Sequence, residues 1–169
     1  MSTGPSLAAA SGPGANPSLR YRLPLYPSNL MGAVIMVSLG PLLDPIMKDL
    51  GVALSQAGLI SAGLFVGNTL GIVICNTNLA RVPAKWAIAV GAFLQGAGLI
   101  LAGLVSRNLW SLFAAYFVVG ASGALVNTTC WIWLSAHMKK NMAAAALQMI
   151  LFFGVGMVFT PIILGPVLD

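Results

Sequence analysis

Residues able to do chemistry are few in this chain, and they stand singly in long apolar stretches. Asp44 is the one acid inside such a stretch. Lys48 follows it by four residues, a spacing at which helical side chains meet. The pair reads either as a boundary salt bridge or as a carboxylate facing a water-filled cavity. Asn127-Thr128-Thr129-Cys130 is the most polar stretch within any apolar run. Asn127 and Trp131 share one helical face with Gly120, Gly123 and Ala124. A polar side chain in hydrocarbon is costly unless it finds a partner or a wet cavity. Asn127 and Trp131 therefore either line a cavity or form an interhelical hydrogen bond and an interfacial anchor. Gln148 falls on a stripe with Phe152 and Phe159. Asn68 and Gln95 are lone amides, for which packing hydrogen bonds are expected, and Trp133 lies on another face as a lipid or interface anchor. His137, beside Lys139 and Lys140, reads as a solvated residue at a helix end.

Nothing in this set combines a nucleophile with a base, pairs two carboxylates or forms a phosphate loop. Cys75 and Cys130 supply neither a disulfide framework nor metal-ligand spacing. The expectation is a protein that is not an enzyme and holds no metal or cofactor.

The elements that must position these residues are five apolar runs, Leu30–Met47, Gly58–Cys75, Trp86–Val105, Leu109–Ala136 and Met142–Leu168. A bilayer core of about 30 Å takes ~20 mostly apolar residues per helix. The chain is 59% hydrophobic and 7% charged, with a mean hydropathy of +0.94. Soluble domains carry about 25% charged residues, so these composition values predict an all-α membrane protein with five transmembrane helices across 28–169. Strands are disfavoured because the runs do not alternate as barrel strands do. Residues 1–27 are rich in Ser, Gly, Pro and Ala and read as a disordered cytoplasmic tail. The first run is too long for a signal-peptide core and reads as a retained helix. Pro27-Ser28-Asn29 marks its expected start, and Ser55 is the expected cap of the second helix.

The basic residues set an orientation. Arg20, Arg22, Arg81, Lys85, Lys139 and Lys140 fall on one side of the alternating runs, and Lys48 and Arg107 fall on the other. The positive-inside bias places the N-terminus in the cytoplasm of a plasma or inner membrane. The net charge of +5 has no basic cluster behind it and gives no nucleic-acid signal.

Two patterns predict helix contacts. Gly63, Gly67 and Gly71 form a tandem G-x-x-x-G stripe, which lets a neighbouring backbone approach closely. That contact is either a sliding surface or static packing. Gly154, Gly156, Pro161 and Pro166 predict a fifth helix bent in its outer half.

Several segments carry a family resemblance. Gly40-Pro41-Leu42-Leu43, Asp49-Leu50-Gly51-Val52 and Leu54-Ser55-Gln56-Ala57-Gly58-Leu59 resemble the helix 1–2 region of the major facilitator superfamily. The stretch from Asn76 to Lys85 is similar to that superfamily's basic loop, written G-x-L-a-D-R-x-G-R-K. Arg81 and Lys85 match it, while Asn76, Ala80, Pro83 and Ala84 depart from it. Without the loop's Asp, a gate here uses other groups or is weaker. Gly120, Gly123 and Asn127 resemble the helix-4 pattern of the sugar-permease-like branch, where an Asp is common at the Asn127 place. Phe152-Phe153-Gly154-Val155-Gly156, Thr160-Pro161 and Gly165-Pro166 resemble its helix 5. An amide in place of that carboxylate argues against proton coupling through helix 4.

The resemblance implies one half of a twelve-helix fold, with a solute site near the membrane midplane between two halves. Five helices would make an incomplete six-helix N-terminal half, and the expectation is a fragment completed by a C-terminal half or a partner chain. The implied function is secondary active or facilitative transport of a small solute by alternating access. Asp44, Asn127, Trp131 and Gln148 are the pathway candidates, favouring a neutral or amphipathic solute over a charged one. The alternative is a non-transporting membrane scaffold or assembly partner derived from a transporter half. In either case the lipid bilayer is a partner and nucleic acid is not.

Overall fold

The structure, a computed structural model, describes residues 25–78, 82–105, 108–138 and 141–168. These form five helices: α1 (Leu25–Leu50), α2 (Leu54–Asn78), α3 (Ala84–Val105), α4 (Leu109–His137) and α5 (Met142–Leu168). All five are long and apolar enough to cross a membrane. The shortest has 22 residues and the longest 29, so at 1.5 Å per residue they reach about 33 to about 44 Å. Many large apolar side chains face outward, among them Phe65, Phe93, Leu104 and Ile163. An outward apolar shell suits lipid as the solvent, and with the five spans it marks an integral membrane protein.

Helix ends are set by local chemistry. α1 is already helical at Leu25, before the expected Pro27-Ser28-Asn29 start. It therefore takes in the last residues assigned to the tail; residues 1–24 lie outside those described. α1 ends in a Schellman turn: Gly51 takes φ +62°, and the Val52 N–H donates to the Met47 carbonyl at 3.2 Å. Ser55 does not cap α2. Instead the Gln56 side chain accepts from the Ala53 N–H at 3.1 Å, the backward reach of a capping box. Asn108 caps α4, its Oδ1 accepting from the Ser111 N–H at 2.8 Å. α5 stays helical through Pro161 and Pro166 to Leu168.

The helices alternate in direction. Gly63, Gly67 and Gly71 of α2 lie against Phe113, Phe117 and Ala121 of α4, a rising register that makes α2 and α4 parallel. Gly91 and Gly98 of α3 meet Val126 and Val119 of α4, a falling register that makes α3 antiparallel to α4. Gly156 of α5 lies on Leu30 and Ala33 of α1. The bundle thus divides into a trio, α2, α3 and α4, and a pair, α1 and α5.

In the trio, glycine brings backbones together. A Cβ on Gly67 would collide with the Phe117 carbonyl, and one on Gly120 with the Leu64 carbonyl. Removing side chains from both helices lets dispersion act over the closest possible approach. The pair is fastened by polar contacts. The Tyr26 hydroxyl donates to Gln148 Oε1 at 2.7 Å, and Asn29 Nδ2 donates to the Met149 carbonyl at 3.2 Å. Tyr26 also stacks on Phe152, ring centroids 4.9 Å apart.

Two apolar cores join trio to pair. One gathers Ile35 and Leu39 of α1, Ile60 and Leu64 of α2, and Leu112, Tyr116 and Val119 of α4. The other gathers Leu25 of α1, Val126, Cys130 and Leu134 of α4, and Ala145 and Met149 of α5. The first lies toward the end where α1 meets α2, the second toward the end where α4 meets α5.

Candidate functional site

Between the two cores the packing opens into a small cleft of about 50 Å³, partly open to the surroundings. Ile35, Leu64 and Val119 wall it on one side and Val126 and Cys130 on the other, so residues of both cores border it. Its carboxamides come from separate helices: Asn29 from α1, Asn68 from α2, Gln95 from α3 and Asn127 from α4, with Ser28 of α1 beside Asn29.

Three of these carboxamides lie at one depth. Asn68 is ten residues before the end of α2 at Asn78, Gln95 eleven after the start of α3 at Ala84, and Asn127 ten before the end of α4 at His137. Those helix ends share one side of the bundle, which puts all three about 15 Å in from it, near the middle of a bilayer core.

The sequence around Gly120 makes this convergence possible. Gly120 lets α2 close onto α4 beside Leu64 and Asn68. One turn on, Gly123 leaves room for the Gln95 amide, whose Nε2 is 3.1 Å from where a Cβ would sit. One turn further, Asn127 adds its own carboxamide on the same face.

Among the described residues, none of Asn68, Gln95 and Asn127 makes a side-chain hydrogen bond. The packing hydrogen bonds expected for Asn68 and Gln95 are therefore not formed, and both side chains border the cleft instead. Gln95 is only 8% exposed. An unpaired buried amide of this kind costs about 1–3 kcal/mol. Asn29 differs, since its amide is committed to the Met149 carbonyl.

The other residues singled out from the sequence lie elsewhere. Asp44 is exposed on α1 and does not border the cleft. Trp131 packs on the core around Val126, Cys130 and Leu134 and does not border the cleft. Gln148 is engaged by Tyr26 on the α1–α5 seam. Lys85 is exposed, its Nζ 5.8 Å from the centre of the Trp86 ring, and Arg81 lies outside the described residues. Trp133 stacks on His137 with ring centroids 4.5 Å apart. Gly63, Gly67 and Gly71 form the α2 side of the α2–α4 seam.

Among the described residues lining the cleft there is no acid, base or histidine, and no three of His, Cys, Asp and Glu among the described residues gather as metal ligands would. The site can therefore exchange hydrogen bonds with a neutral guest, offering donors and acceptors at once.

No family model, curated protein or solved structure matches this chain. What fold and cleft define is a class: a five-helix membrane bundle with an amide-lined opening at mid-depth.

Proposed function

We propose that this chain is part of a secondary active or facilitative transporter, which moves a small solute across a membrane by alternating access. The carrying observation is the placement of three unpaired carboxamides, from three helices, between two apolar cores. Polar groups at membrane depth mark solute routes, and apolar plugs on both sides are what a gated route requires. Alternating access would come from rocking this bundle against the half or partner chain that completes it, opening one plug while the second stays closed.

This reading agrees with the resemblance to the N-terminal half of a major facilitator. On it, a C-terminal half or a partner chain completes the enclosure, and the membrane is a plasma or inner membrane with the N-terminus in the cytoplasm. Asn127 keeps its place in the route, Asn68 and Gln95 join it, and Gln148 acts only by holding α5 to α1.

The test is solute uptake by cells expressing the full reading frame, with Gln95→Ala and Asn127→Ala beside the parent. Uptake should fall at least tenfold in one or both, about 1.4 kcal/mol of lost interaction. Unchanged uptake in both would remove the cleft from the route.

A second reading, a non-transporting scaffold or assembly partner, draws on the departures at Asn76, Ala80, Pro83 and Ala84 from the loop pattern. It predicts no uptake at all and recovery of a bound membrane partner.

A further inference from the structure

The ligand class of the cleft follows from Gln95, and it deepens the transport reading on which it rests. Gln95 is 8% exposed, makes no side-chain hydrogen bond among the described residues, and borders both the central cleft and a second opening between α1 and α3. A carboxamide buried this far without a partner is an unmet demand for one donor and one acceptor. Asn68, half-buried, and Asn127, exposed, add their own carboxamides to the cleft lining at the same depth. Gly123 provides the space in which the Gln95 amide sits, its Nε2 3.1 Å from the missing Cβ.

We infer that the Asn68–Gln95–Asn127 cluster binds a small uncharged molecule that carries hydrogen-bond donors and acceptors together, a polyol or a carboxamide, with Gln95 as the main anchor. An ion fits poorly: no described lining residue could neutralise it, and amide dipoles alone would offset only part of its desolvation. A purely apolar molecule fits poorly too, because it would leave all three amides unpaired.

The experiment uses the purified full chain in detergent, with Cys75→Ala and Cys130→Ala to silence native thiols and Met36→Cys as a reporter on the α1 wall of the cleft. The rate of reaction with a membrane-impermeant thiol reagent is followed in the presence of four probes of similar size: a polyol, a diamide, a dicarboxylate and a diamine. At least one neutral probe should slow the reaction threefold or more, and the two charged probes should not. Gln95→Leu, close in size but unable to hydrogen-bond, should abolish the protection. Asn127→Ala, at an exposed position where folding is not at risk, should weaken it severalfold. The inference is overturned by protection from charged probes equal to that from neutral ones, by protection that survives both substitutions, or by a reporter that no probe protects or that the reagent never reaches. The measurement needs no flux, so protection without uptake would sink the transport reading and leave the ligand class standing.

Discussion

The Tyr26 hydroxyl donates to Gln148 Oε1 at 2.7 Å, across 122 residues of sequence, and so ties the first helix to the last. Beside it Tyr26 stacks on Phe152 and Asn29 bonds to the Met149 carbonyl. Three contacts on one seam make α1 and α5 a single body. Tyr26→Phe keeps the stacking and loses the hydrogen bond, and Gln148→Leu loses the same bond from the other side. Each should cost about 0.5–1.5 kcal/mol. Because both remove one interaction, the double variant should cost clearly less than the sum of the singles. Chemical unfolding in detergent, followed by circular dichroism, measures this; additive losses would mean the two side chains are uncoupled.

The α2–α4 seam is far less forgiving. A Cβ on Gly67 or Gly120 would run into a backbone carbonyl of the other helix, which cannot rotate away as a side chain can. Gly67→Ala and Gly120→Ala should each destabilise the bundle by about 1–3 kcal/mol or more. Gly103→Ala, where nothing lies within 4 Å, is the control and should be neutral or slightly stabilising. Equal melting temperatures for all three would refute the close approach.

Gly123 separates site from scaffold. Its added Cβ would meet only the Gln95 amide nitrogen, the far end of a flexible side chain. Gly123→Ala should therefore change stability by less than about 1 kcal/mol, as the amide swings aside. If the cleft is the solute route, uptake should nonetheless fall severalfold. Loss of stability with no loss of uptake would point to a packing role alone.

Topology gives an independent check on the whole arrangement. Reporter tags inserted after Val52, Pro83, Arg107 and Lys139 should read outside, inside, outside, inside. The order follows from the alternating helices, and the absolute sense follows from the basic residues. A reversed order would keep the fold and invert the proposed orientation, whereas two neighbouring tags on the same side would break the helix count.

The sequence by itself determined the number of helices, their apolar character and the presence of a close-packed stripe. Hydrocarbon can accept a chain only if runs of ~20 residues hydrogen-bond to themselves and present apolar side chains, and that demand is written locally, run by run. Gly63, Gly67 and Gly71 likewise announce a close contact because four-residue spacing keeps them on one helical face. Which helix fills that contact is not local information. The partner is α4, and only the assembled bundle shows it. The site followed the same division. Asn127 could be singled out because polarity inside an apolar run is conspicuous. Asn68 and Gln95 are each one amide in a long helix, and what makes them a site is equal depth on converging faces. Trp131 and Gln148 carry as much chemistry in one dimension, yet packing set one against a core and engaged the other with Tyr26. Residue chemistry fixed what could bind, and helix packing decided which residues face the same space, because side-chain direction across helices depends on rotation and depth that no single run encodes.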